Sequence, residues 1–135
     1  MPVRFQLVVD CTDPESLARF WAAALGYELE PPPDGFATWD DWRRDLGLPE
    51  EELGGGPDSI VDPRGEGPRI WFHEVPDAKV VKNRLHLDVT VDDIEAAVGA
   101  AKVLGATRIG AIVLDPVSDF QVMLDPEGNE FCFVT

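Results

Sequence analysis

Two stretches of this chain repeat one pattern. Arg4-Phe-Gln-Leu-Val-Val-Asp-Cys-Thr-Asp-Pro-Glu15 is answered by Arg84-Leu-His-Leu-Asp-Val-Thr-Val-Asp-Asp-Ile-Glu95, with Arg4/Arg84, Leu7/Leu87, Val9/Val89, Asp13/Asp93 and Glu15/Glu95 coinciding. Each copy alternates apolar and polar residues, the period of a strand, and then gives a helix start. A chain that says the same thing twice folds most simply as two copies of one β-α unit. That constraint precedes every other reading.

The first strand is expected to set Val3, Phe5, Leu7 and Val9 on one face and Arg4, Gln6, Val8 and Asp10 on the other. In the second copy Leu85, Leu87, Val89 and Val91 form the apolar face, with Arg84, His86, Asp88 and Thr90 opposite. The apolar faces should pack on helices, and the polar faces should look into water or a cleft. The first helix has Asp13 as N-cap, Pro14 in its first turn and Gly26 as stop, with Leu17, Phe20, Trp21, Ala24 and Leu25 as one buried stripe. The second starts at Asp92 or Asp93, presents Ile94, Ala97, Val98 and Ala101, and stops near Gly105.

Asp62-Pro-Arg-Gly65 and Asp125-Pro-Glu-Gly128 both fit a turn with proline second and glycine fourth. Each precedes an apolar strand, Arg69-Ile-Trp-Phe-His73 in one half and Glu130-Phe-Cys-Phe-Val134 in the other. The predicted fold is α+β: two βαβββ units, 1–78 and 79–135, whose curled mixed sheets enclose a cleft with helices outside. Residues 31–57 break the symmetry with Pro31-Pro-Pro33, Trp39-Asp-Asp-Trp42 and Gly54-Gly-Gly56. They are expected to form a short helix or two between loops, with Trp39 and Trp42 on one helical face. These tryptophans either fix the insertion to the body or wall a ligand pocket.

Charge narrows the partners. With 11 basic against 26 acidic side chains, the formal net charge is −15, and Arg43-Arg44 is the one basic pair in the chain's acidic stretch. Phosphate backbones need clustered cations, so nucleic acid and anionic membrane are disfavoured. No apolar run has the length of a membrane span, and Met-Pro-Val-Arg-Phe-Gln lacks the apolar core of a signal peptide, so a cytoplasmic protein is expected. Cys11 and Cys132, without CxxC spacing, read as reduced thiols.

Anchoring the two halves on their turns matches Arg69 with Glu130, and anchoring them on their first strands matches Gln6 with His86. All four positions lie opposite the apolar stripes and would converge if the sheets face one another. Trp71 and His73 share a face with Arg69. Cys132, next after Glu130 on its face, reads first as a packed thiol.

The doubled βαβββ unit, Asp13-Pro-Glu-Ser-Leu-Ala-Arg-Phe-Trp21, Leu25-Gly-Tyr27 and Asp125-Pro-Glu-Gly-Asn-Glu-Phe131 resemble the vicinal oxygen chelate superfamily of glyoxalase I, extradiol dioxygenases and bleomycin-resistance proteins. Val81-Lys-Asn-Arg-Leu-His-Leu-Asp88 resembles in particular its actinobacterial glyoxalase-like branch. The resemblance implies metal ligands on the first and last strands of each unit, here Gln6, Arg69, His86 and Glu130. Arg69 departs from it, because a guanidinium has no lone pair to donate. Gln6, His86 and Glu130 could still hold one divalent ion (zinc, nickel, manganese or iron), with Glu130 as the catalytic carboxylate and His73 as a substitute ligand. Alternatively Arg69 pairs with Glu130 and the site is metal-free.

Two functions compete. One is a small-molecule-binding protein of the bleomycin-resistance type, contacting its ligand through Arg69, Trp39, Trp42, Trp71 and His73. The other is a metal-dependent lyase, isomerase or dioxygenase. A purely regulatory module has no feature in its favour. A homodimer is expected, since each half presents a sheet edge.

Overall fold

The computed structural model describes residues 3–135. Met1 and Pro2, where the reading of the amino terminus begins, lie outside them. The chain forms two compact units, one ending at Pro76 and the other beginning at Asp77. The first contains β1 (Leu7–Cys11), α1 (Pro14–Leu25), β2 (Glu28–Leu29), α2 (Trp39–Asp45), a 3-10 turn at Glu50–Glu52, β3 (Ser59–Val61) and β4 (Ile70–Glu74). The second contains β5 (Asp88–Thr90), α3 (Ile94–Val103), β6 (Thr107–Val113), β7 (Phe120–Leu124) and β8 (Glu130–Val134). The insertion is α2 and the 3-10 turn with their loops.

The two sheets share one topology. Their strand orders are β1-β4-β3-β2 and β5-β8-β7-β6. The first and last strands of each unit lie side by side and parallel, Leu7 against Ile70 and Asp88 against Cys132, while the other neighbours are antiparallel. The fold is α+β, two βαβββ units with a four-stranded mixed sheet in each.

The helices begin where their caps dictate. The Asp13 carboxylate accepts from the Ser16 amide and the Asp93 carboxylate from the Ala96 amide, satisfying donors that a helix start leaves open. Gly26 ends α1 with a left-handed φ of 68°. Leu17, Ala18, Phe20, Trp21 and Ala22 of α1 are buried, while Ala24 and Leu25 are half-buried. Ile94, Val98 and Ala101 of α3 are buried. They meet the helix-facing side chains of their sheets, Ile60, Ile70 and Phe72 in one unit and Met123, Phe131 and Phe133 in the other.

The strands start later than the alternation suggests. Val3, Phe5 and Leu85 were expected on buried faces but are 89%, 68% and 87% exposed. The limit comes from the partner strand. Parallel pairing needs β4 alongside, and β4 emerges from its turn only past Pro68, which has no amide hydrogen to donate. Gln6 and His86 therefore sit just ahead of their strands, opposite Arg69 and Glu130 in extended register.

Both turns form as expected, with Gly65 and Gly128 donating to the carbonyls of Asp62 and Asp125. Each aspartate also gathers its own turn. Asp62 accepts from the amides of Arg64, Glu66 and Gly67 and from the Arg64 guanidinium. Asp125 accepts from the amides of Glu127 and Asn129 and from the Asn129 side chain. Gly67 is required, because a β-carbon there would run into the Tyr27 hydroxyl, which donates to the Pro68 carbonyl at 3.1 Å.

The amide bonds from Arg64 and Gly67, ahead of the Arg64 charge, lower the Asp62 pKa from 3.8 to about 2. A carboxyl more acidic in the folded state stabilises that state above its ordinary pKa, and the contribution vanishes as pH falls through the folded value. Asp62→Asn should therefore lower the urea midpoint near neutral pH. Its deficit against the wild type should shrink between pH 3.8 and about 2. A deficit constant across that range would show that the charge contributes nothing.

Candidate functional site

In the first unit the side chains opposite α1 form a connected polar row. Arg69 donates from Nη1 to Gln6 Oε1 at 2.9 Å and from Nε to Glu30 Oε2 at 2.5 Å. Beyond it on β4 stand Trp71 and His73, with ring centroids 4.8 Å apart, and His73 Nδ1 lies 3.3 Å from Asp10 Oδ1. Trp71 donates to Asp58 at 3.2 Å, and Arg43 of α2 lies 3.9 Å from the same carboxylate oxygen.

The insertion reaches this row through tryptophan as well. Trp39 donates its indole N–H to the Glu30 carbonyl at 3.0 Å, so Glu30 connects Arg69 with α2. Trp42 meets Trp39 edge-on at 5.5 Å, and the Arg43 guanidinium lies 5.9 Å from the Trp39 ring centre. Thr38 caps α2 by accepting from the Asp41 amide. Asp40 accepts from the Gly54 amide and from Arg43, which hold its carboxyl below the usual range, the amide bond most strongly. Pro32, Trp39, Arg43 and Pro57 help to line a hollow of about 220 Å³.

In the second unit the polar row is built differently. Glu130 accepts from the Asn83 amide at 2.9 Å and from Lys79 at 3.2 Å. These bonds, the Asn83 amide first, lower its pKa against the opposing effect of burial. His86 Nε2 lies 3.2 Å from Asp88 Oδ1, two residues on along the same face. Asp88 stands directly opposite Cys132 in the parallel ladder. Burial, and then the Asp88 charge, raise the Cys132 thiol pKa.

The expected site residues thus fall into separate groups. Arg69 is joined to Gln6, and its ion pair is with Glu30. Glu130 pairs with Lys79, and His86 with Asp88. Glu30, Lys79, Asn83 and Asp58 escaped the sequence reading. Opposite charge was the available signal for the first two, but their partners are known only once strand order is known.

These contacts describe the surroundings of the expected ligands Gln6, His86 and Glu130, and of Arg69, which departs from the family pattern. A permanent cation occupies one position and takes the Gln6 amide oxygen as its acceptor. Both Glu130 oxygens already accept hydrogen bonds. A guanidinium at the Arg69 position has no lone pair for a divalent ion, whereas Gln6, His86 and Glu130 each carry an atom able to donate to one.

Comparison with known proteins agrees with this architecture. No curated protein matches the chain. Among solved structures it resembles a hypothetical protein from S. aureus (TM-score 0.66, 14% identity, covering 100% of this chain and 94% of that one). A glyoxalase/bleomycin resistance protein/dioxygenase family enzyme from Burkholderia phytofirmans PsJN gives a TM-score of 0.62 at 17% identity, covering 96% and 94%. The oxidase ChaP-H2 gives 0.62 at 19% identity, covering 100% and 94%. At these identities the likeness is one of fold. The family model described as a glyoxalase-like domain matches residues 6–134. With that match across nearly its whole length and the βαβββ unit used twice, the chain belongs to the glyoxalase-like domain family of the vicinal oxygen chelate superfamily.

Proposed function

We propose that this chain is a glyoxalase-like small-molecule-binding protein that holds a planar, carboxylate-bearing ligand on the Arg69 guanidinium, with no metal ion taking part in that contact. The observation that carries this reading is the Arg69 guanidinium fixed by Gln6 and Glu30, in place of a ligand-donating side chain. Among the described residues, Glu30 and Gln6 engage two of its five N–H donors, and the side chain is 35% exposed. The remaining donors suit a carboxylate. Trp71 and His73 further along β4 offer stacking surface, and Trp39 and Trp42 extend it. The reading includes a cytoplasmic homodimer that does not act on nucleic acid or membrane; among the described residues no helix is long and apolar enough to cross one.

All four tryptophans, Trp21, Trp39, Trp42 and Trp71, belong to the first unit, so intrinsic fluorescence reports there. Titration with a panel of planar aromatic carboxylates and metal-free bleomycin, in EDTA, should give saturable quenching by at least one carboxylate. Arg69→Leu should weaken it by about 10–100-fold, the value of a hydrogen bond to a charged group. The competing reading is a metal-dependent lyase, isomerase or dioxygenase, with Glu130 catalytic. Binding or turnover that appears only after a divalent ion is restored, and is lost in Glu130→Gln, would decide for it.

A further inference from the structure

We propose that His86, Asp88 and Cys132 form a binding site for one thiophilic divalent cation of the zinc or cadmium class, built wholly within the second unit. One ligand atom from each residue can be chosen so that all three lie within 4.8 Å of one another. Tetrahedral zinc holds nitrogen, oxygen and sulfur donors about 3.3–3.6 Å apart, from its bond lengths of about 2.0–2.3 Å. The donors must close by roughly 1 Å, within reach of side-chain rotation because His86 and Asp88 are exposed and Cys132 is half-buried.

The backbone beneath them is already fixed. Asp88 and Cys132 are ladder partners, and the Cys132 amide donates to the Leu87 carbonyl at 3.0 Å, between the other two ligands. His86 and Asp88, two residues apart, project to one side. Three donor types therefore converge from two paired strands, leaving a fourth position for water or an exogenous ligand. The thiolate selects a soft or borderline ion over magnesium or calcium. On binding, the thiol proton passes to solvent as the metal–sulfur bond forms.

This set is not the one expected at the strand starts. It keeps His86 and replaces the others with Asp88 and Cys132, each one strand repeat further along its own strand from His86 and Glu130. Nor does it depend on Arg69, Gln6 or any residue of the first unit.

The test uses the full chain, reduced and stripped with chelator, titrated with cobalt(II) and followed by the thiolate-to-cobalt charge-transfer band. One equivalent should develop the band and zinc should abolish it. Cys132→Ser should lose the band, Cys11→Ser should keep it, and His86→Ala and Asp88→Asn should each weaken binding at least tenfold. Circular dichroism checks that each variant is folded; the exposed Asp88→Asn position remains decisive if Cys132→Ser is not. No band in the wild type overturns the proposal. So does loss of binding in Gln6→Ala with retention in Cys132→Ser. The carboxylate titration above is run in EDTA, so either proposal can fail without the other.

Discussion

Phe131→Ala should lower the unfolding free energy of the second unit by about 3–5 kcal/mol, a large part of the 5–15 kcal/mol typical of a domain. Phe131 is 1% exposed on the helix-facing side of β8, where it meets Phe133 edge-on at 5.3 Å. It belongs to the central pair β7-β8, with Met123, 0% exposed, directly opposite. Truncation removes a ring from a site closed on both sides, so the cavity cannot collapse fully and its cost adds to the lost transfer energy. A fall of thermal midpoint on the order of 10–20 °C is expected, read by circular dichroism. Phe131→Leu should recover most of it. A loss below about 1 kcal/mol would mean that the site relaxes around the gap.

Gln121→Leu should cost about 2–4 kcal/mol although it makes the core more apolar, because it strips partners from buried polar groups. Gln121 is fully buried in β7, opposite Phe133 and so on the face that meets α3. Its amide nitrogen donates to the carbonyls of Ile109 at 2.9 Å and Gly110 at 3.3 Å, where β6 shifts register against β7, and to Val122 at 3.0 Å. Gly110 has a left-handed φ of 68° at that irregularity, so those carbonyls turn out of the ladder and need another donor. The Gln121 oxygen accepts from Arg108 at 2.9 Å, and Arg108 reaches both carboxylate oxygens of Glu95 on α3. One glutamine thus closes the bulge and aims the arginine that ties the helix to its sheet. Gln121→Glu keeps the acceptor for Arg108 but not the donors, so it should also be destabilising. Stability equal to wild type in both variants would dispose of the bulge argument. Hydrogen exchange at β6 and β7 would locate any loss.

What the sequence revealed and what it hid divide along the range of the interactions concerned. Asp13 and Asp93, and the turns at Asp62 and Asp125, were legible because a cap or turn is settled among neighbours a few residues apart. The face alternation of Leu7, Val9, Leu87 and Val89 was legible too, and these half-buried residues alternate with the exposed Val8, Asp10, Asp88 and Thr90. Strand starts were not, since Val3, Phe5 and Leu85 alternate properly yet have no paired strand beside them. Glu30 with Arg69, and Lys79 with Glu130, are separated by 39 and 51 positions. Opposite charge alone chooses poorly among 26 acidic and 11 basic side chains. Gln121, the one polar residue in Phe-Gln-Val-Met-Leu, would be assigned to solvent by pattern; its burial follows from a bulge on a different strand.

The pairing of first and last strands also bears on how the two halves came to differ. Leu7 meets Ile70 63 positions on, whereas Asp88 meets Cys132 only 44 positions on, the insertion accounting for the longer path. Because the entropy of joining chain ends grows only with the logarithm of the span, the longer excursion costs about 0.3 kcal/mol more. Either half of such a duplicated chain can therefore acquire or lose a segment between its second and third strands at almost no thermodynamic expense. The scaffold holds its shape through the closing pair, while the intervening span is free to change its chemistry.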